Sequence, residues 1–295
     1  MTNRGLILSL AGVLLLTPDA LILRLADGVG AFEGSFLRSF FMAIGWTAII
    51  WFLKGNPFHA LRRISPLGWL AAVVLSLDIL AFVTAVQNTT IANTLMMFAA
   101  VPAFAAIMGW WILRERIDNL LAVTIAVSFC GLGLIFWDGI GLGSLLGDTA
   151  ALFAGLLYAL YIVLIKRSGR DEVVETLCVA GIIAALSALP FADLSTVPLR
   201  SALIIAAQSS LLLPLAFALY FSGTRYLLAT QVALIGLLEP VLGPIWAWVF
   251  LDEAPGPRSL LGGAIVICAL AMDASVRMMF PGFGVSAKSG SRHET

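Results

Sequence analysis

The sequence is poor in charge, in histidine and in cysteine, and each shortage excludes a class of function. Only 12% of its 295 residues are charged, against roughly 25% in a soluble domain. That leaves too few polar side chains to wet the surface of a water-soluble fold. Basic and acidic residues balance at 17 each and form no basic block, so nucleic acid is not an expected partner. The two histidines, His59 and His293, lie outside the apolar segments and cannot assemble an intramembrane metalloprotease pair. A G-x-x-x-x-G-K-[ST] phosphate loop is absent, so nucleotide hydrolysis does not power this chain. Serines such as Ser128 and Ser187 have no base at a recognisable spacing. The expectation is a protein that is not an enzyme and needs no cofactor or metal. The three cysteines, Cys130, Cys178 and Cys268, are odd in number and dispersed, which fits neither a disulfide framework nor a metal site. They read as small buried apolar side chains.

What fills the space is apolar sequence. From Ile79 to Leu113 the chain runs 35 residues without an ionisable side chain, and Asn119 to Trp137 adds another 19. Cutting at charges, prolines and glycines gives ten spans near the ~20 residues a bilayer requires. They lie at about 6–24, 34–53, 67–86, 91–111, 118–137, 147–165, 174–192, 201–222, 229–251 and 258–280. The fold class expected is therefore an all-α membrane protein of ten transmembrane helices. The first span reads as an uncleaved helix, because Pro18-Asp19 interrupts it without a small-x-small cleavage pattern. Residues 284–295 read as a polar cytoplasmic tail.

Basic residues set the orientation. With the N-terminus inside, 13 Lys and Arg from Arg4 to Arg292 fall at cytoplasmic ends, against Arg24, Arg200 and Arg258 opposite. Both termini are expected in the cytoplasm, in a multi-pass protein of the inner or plasma membrane.

A shift of 138 residues superposes the chain on itself. Pro102 meets Pro240, Trp110 meets Trp248, Leu113 meets Leu251, Glu115 meets Glu253 and Cys130 meets Cys268. These coincidences divide the chain into a first five-helix repeat, 1–137, and a second, 147–280. Five spans per repeat is odd, so the second is expected to be inverted, a recurring transporter architecture.

The residues around these matches resemble the drug/metabolite transporter superfamily, in particular its EamA-type members. The second copy carries most of the likeness: Ala229-Thr230-Gln231, Leu238-Glu239-Pro240 and Trp248 through Glu253. Val101-Pro102 and Leu113-Arg114-Glu115-Arg116 carry it in the first copy, as do Gly147-Asp148 and Phe36-Leu37-Arg38-Ser39. The resemblance implies ten helices, a cavity at the repeat interface and export of small organic solutes, similar to exporters of amino acids, including aromatic ones. One departure is that the acid before the proline occurs only in the second half, as Glu239 against Val101.

A charge at a helix centre costs at least ~2.5–3.5 kcal/mol on insertion scales, so intramembrane ions should face protein or water. Asp19, Asp78 and Glu239 are the cavity candidates, with Arg38 as the structural partner that an ion pair to Asp19 would need. Glu239 shares a face with Gly236, Gly243 and Ala247, which lets another helix approach closely. Asn93 and Gln231 fall at matching positions of the repeats and could meet across the axis. Tyr158 and Tyr161 are three apart on one helix face and suit an aromatic or cationic solute. Hinges are expected near Pro18, Pro102, Pro214 and Pro240, where ladder hydrogen bonds are missing. Glu115 and Glu253 should fix loop geometry, or pair as gates, at opposite membrane faces.

The combined expectation is a secondary transporter, monomeric or homodimeric, that exports a small metabolite by alternating access. Its partners are the solute and the bilayer. A lipid or sugar-lipid flippase and a proton-coupled importer are the transport alternatives, and an intramembrane lipid-modifying enzyme is the rival from another class.

Overall fold

Backbone groups have no water to bond in hydrocarbon, so a chain this apolar must satisfy them within helices. The computed structural model describes residues 3–115, 117–142, 145–169, 171–224, 235–236 and 238–280, and among them every regular element is helical. Eight helices are long and apolar enough to cross a membrane. They are α1 (Arg4–Arg24), α2 (Ala31–Lys54), α3 (Pro66–Asn88), α4 (Ile91–Leu113), α6 (Leu145–Ser168), α7 (Val173–Phe191), α8 (Leu199–Tyr220) and α10 (Pro257–Val276). Two helices with shorter apolar stretches, α5 (Asn119–Ile135) and α9 (Leu238–Leu251), complete the order. Each of these ten helices overlaps one of the ten spans expected from hydropathy, with ends that differ by a few residues in most cases.

Local chemistry sets the helix starts. Pro66 occupies the first turn of α3, where its missing N–H is harmless, and the Ser65 hydroxyl accepts from the Gly68 amide at 3.0 Å. Thr90 caps α4 in the same way through the Asn93 amide at 3.1 Å. Gly55 and Gly169 take left-handed backbone where α2 and α6 end.

Three of the prolines mark interruptions. The regular ladder of α1 breaks at Thr17–Pro18 and restarts at Asp19. In α4 the helix stops after Phe98 and restarts at Val101, one residue before Pro102. Pro214 follows a π-helical stretch, Gln208–Leu212, within α8. Pro240 lies in the first turn of α9, and Pro244 lies inside that helix.

The main helix contacts have counterparts when the two halves are exchanged. The α3–α6 contact has its counterpart in α8–α1, while α2–α7, α4–α9 and α5–α10 each pair a helix with its own counterpart. α5 and α10 cross at Gly131 and Gly262, each backed so closely that a Cβ would stand 2.6 or 2.5 Å from the other's carbonyl oxygen. The repeat extends to the ends of α4 and α9. Arg114 and Asp252, 138 residues apart, both adopt positive φ, at 56° and 52°. The following Glu115 and Glu253 amides then donate to the Gly109 and Ala247 carbonyls.

Cys178 is buried, but Cys130 and Cys268 are exposed on the outer surface. This corrects the sequence expectation for those two: an apolar neighbourhood along the chain does not say whether a side chain faces protein or lipid.

Candidate functional site

The break at Pro18 exposes unpaired amides at the start of the second helical segment of α1, where a carboxylate is favoured by the helix dipole. Asp19 occupies that position. Arg38 of α2 reaches it with both arms of the guanidinium, Nη1 to Oδ1 at 2.7 Å and Nη2 to Oδ2 at 2.8 Å. Both residues are buried, at 7% and 8% exposure. Gln208, at the start of the π-helical stretch of α8, donates to the Asp19 carbonyl at 2.8 Å and also to its carboxylate. Asp19 therefore joins α1, α2 and α8.

Arg38 continues the cluster toward α3. Its guanidinium lies 5.4 Å from the ring centroid of Phe82, a cation–π contact. One turn back on α3, Asp78 is 6% exposed, and its Oδ1 has no hydrogen-bond partner among the described residues. Arg38 lies within Coulombic range of both Asp78 and Glu239.

Phe82 leads by ring contacts into a cavity. Phe82 and Phe98 meet edge-on at 5.3 Å, Phe98 and Tyr158 at 5.9 Å, and Tyr158 stacks on Tyr161 at 6.1 Å. The Tyr161 hydroxyl lies 3.2 Å from the Thr176 hydroxyl. The cavity holds about 470 Å³ and is lined by α1, α4, α6, α8 and α9, with Val173 at the start of α7. Glu239 is the one formally charged residue in its described lining, which is otherwise aliphatic, aromatic, proline and glycine. Pro102 and Pro240 both line it, as do Val101 and Glu239 before them, so matching positions of the repeat meet there. A larger groove of about 850 Å³ between α2 and α7 is built from outward apolar side chains such as Phe40, Trp51 and Leu186. Its described lining has no charged group, and its one hydroxyl, that of Thr47, is spent on the Ala43 carbonyl at 2.7 Å, so the smaller cavity is the candidate site.

The opposite end of the helices from Ile165 and Val173 is tied together. The Glu253 carboxylate accepts the Ile91 amide at 2.7 Å and lies 3.7 Å from Arg24. Arg24 also donates to the Val86 and Thr89 carbonyls. This joins α1, α3 and α4 to the chain after α9, beside a polar recess that includes Gln87, Asn88 and Thr90. Its repeat counterpart, Glu115, pairs with Lys166 at 2.6 Å in an exposed position.

Asn93 is 2% exposed and lies away from the cavity. Its amide nitrogen donates to Asp148 at 3.2 Å, and its oxygen accepts from Ser259 at 2.5 Å. Asp148 also accepts from Thr89 at 2.5 Å. The second member of the expected pair, Gln231, falls outside the described residues. Thus Glu239, Tyr158, Tyr161, Pro102 and Pro240 share the cavity, Asp19, Arg38 and Asp78 form a cluster beside it, and Asn93 belongs to a separate network. Among the described residues, no group of three or more His, Cys, Asp or Glu is placed to hold a metal ion.

Gln208 and Glu172 were not singled out in the sequence, and Asp148 was noted only within the Gly147-Asp148 likeness, not as a site residue. Glu172 is 4% exposed and accepts from the Ser65 amide and hydroxyl at 2.8 and 2.5 Å. A glutamine beside two serines in an otherwise apolar span was the available sign for Gln208.

Comparison with known proteins gives a consistent result. The pattern described as EamA-like transporter family matches residues 3–137 and again 145–272. An "Uncharacterized transporter" of Clostridium kluyveri is 27% identical over 68% of this chain and 70% of its own. The "Uncharacterized transporter YwfM" of Bacillus subtilis is 26% identical over 79% and 81%. A solved crystal structure matches in fold with a TM-score of 0.65 at 18% identity, covering 94% of this chain and 98% of its own.

Proposed function

Because this chain belongs to the EamA-like transporter family, we propose that it exports a small organic metabolite by alternating access. We assign amino acids, aromatic ones among them, as the solute class. The two matched segments act as inverted halves, the ten helices cross the membrane, and both termini face the cytoplasm. The observation that carries this reading is the contrast between two regions of one bundle. A cavity lies among α1, α4, α6, α8 and α9, while the Glu253–Arg24–Ile91 tie closes the helices at the other end. Rocking about the interruptions at Pro18, Pro102 and Pro214, and about Pro240 in the first turn of α9, would release that tie and close the cavity from its present side. Each proline supplies no amide to the ladder, so bending costs least there. Counterflow into proteoliposomes preloaded with pooled amino acids tests this. Saturable accumulation of labelled phenylalanine, threonine or methionine supports it, and no accumulation of any of them by folded protein sinks the amino-acid assignment.

A second reading, proton coupling, is favoured by Asp78, a buried carboxyl group with an oxygen that no described donor satisfies. Asp78→Asn would then abolish pH-driven uptake and leave solute exchange intact. Loss of both activities together would argue against this role.

A further inference from the structure

The described lining of the cavity has one charge sign to offer. Glu239 is the formally charged residue in its described lining, and no described donor makes a hydrogen bond or ion pair with that carboxylate. The guanidinium nearest in the membrane interior, Arg38, is absent from the lining, and Asp19 occupies both of its arms. A solute carboxylate entering the cavity therefore meets no free cation among the described residues and faces Glu239 as a like charge. An ammonium meets the reverse situation. It would pair with Glu239 and lie among the rings of Tyr158, Tyr161, Phe98 and Tyr220, whose faces attract cations. The Tyr220 hydroxyl already stands beside Gly236, one turn before Glu239.

Charge in the interior points the same way. Among the described residues, Asp19, Asp78 and Glu239 are three carboxylates that act on one guanidinium, so this region is formally short of positive charge. Intramembrane charges persist where they are paired or hydrated. A bound monocation supplies part of the missing charge, and a zwitterion does not. The volume, about 470 Å³, lies within the roughly 300–1,000 Å³ typical of small-molecule sites.

We infer that this site recognises the ammonium group of an arylalkyl- or alkylamine through Glu239 and the tyrosine faces, and that a solute carboxylate contributes nothing to binding. This rests on the transport reading for its purpose and narrows its solute from amino acids to amines, since the carboxylate is given no partner; the recognition can be measured without transport. The test uses three probes with one ring and different charge: phenethylamine, phenylalanine and phenylpropionate. Each is titrated into the purified full-length protein while thermal unfolding is followed. Phenethylamine should raise the Tm saturably and more than phenylalanine, and phenylpropionate should leave it unchanged. Glu239→Gln, nearly isosteric, should weaken half-saturation by the amine roughly tenfold or more, as expected for a lost charge-assisted contact. No shift with phenethylamine, or an equal shift with phenylpropionate, overturns the inference on wild-type protein alone, whatever the variant's folding. Counterflow with the same probes separates the two readings. Flux of another solute without amine binding keeps transport and discards ammonium recognition. Amine binding without flux of any solute keeps the recognition and discards transport.

Discussion

Arg38 grips Asp19 with two parallel hydrogen bonds in the interior of the helix bundle. The pair replaces water for both charges, and removing one partner strands the other. Arg38→Met should therefore lower the unfolding free energy by roughly 3–5 kcal/mol, the usual effect of breaking a buried pair. Adding Asp19→Asn to that variant should recover more than half the loss, because no uncompensated charge remains. Thermal unfolding of the four proteins in detergent checks this, and simple additivity of the two single changes would show that the pair is not coupled.

Glu253 fastens α4 to the chain after α9 through the Ile91 amide, and holds Arg24 beside it. Glu253→Ala removes both contacts and should shift the population toward a state open at that end by about 5- to 150-fold, the range of a 1–3 kcal/mol coupling. Glu253→Gln keeps an acceptor for Ile91 and should fall between. The measurement is labelling of Thr90→Cys by a membrane-impermeant thiol reagent, in a background with Cys130, Cys178 and Cys268 replaced. Equal labelling rates in all three proteins would remove Glu253 from this role.

Gly131 and Gly262 leave no room for a methyl group where α5 crosses α10, whereas a Cβ at Gly133 meets nothing within 4 Å. Gly131→Ala should destabilise by roughly 1–3 kcal/mol through overpacking against backbone. Gly133→Ala should be neutral or slightly stabilising. Unfolding midpoints of the two variants settle it, and equal midpoints would mean that the crossing yields easily.

Arg114 bears a left-handed backbone conformation that costs a non-glycine residue roughly 1–2 kcal/mol. Arg114→Gly should leave stability unchanged or raise it by up to about 1 kcal/mol, while the β-branched Arg114→Val should lower it. Reversal of that order in thermal unfolding would locate the constraint in the arginine side chain instead.

Much of the architecture was legible in the sequence because a bilayer makes one demand that hydropathy records directly. Every helix from α1 to α10 coincides with an apolar stretch, and the breaks near Pro18 and Pro102 follow from missing amides. The Asp19–Arg38 pair was legible too, since two opposite charges in consecutive spans need each other. The burial of Asp148 and Glu172 was hidden because they stand at helix starts, where hydropathy suggests water, and burial there comes from neighbouring helices. Gln208 was hidden by its neighbours, and its meeting with Asp19 spans 189 positions of sequence. Asn93 could, by spacing, have met Gln231, which lies outside the described residues; its hydrogen bonds to Asp148 and Ser259 are a matter of tertiary packing that helix-face spacing does not encode.

Val101 and Glu239 stand at the same step of a twice-used pattern and look into one cavity. Two identical half-length chains assembled in this way would be obliged to present the same side chain from both sides, either two acids or none. Joining the halves in a single polypeptide lifts that obligation, and here it has been used: one position holds the acid and the other a hydrocarbon. The vestibule is thereby polarised, with a distinguishable left and right wall. A guest with one charged end and one greasy end can enter it in a single preferred pose rather than in two equivalent ones.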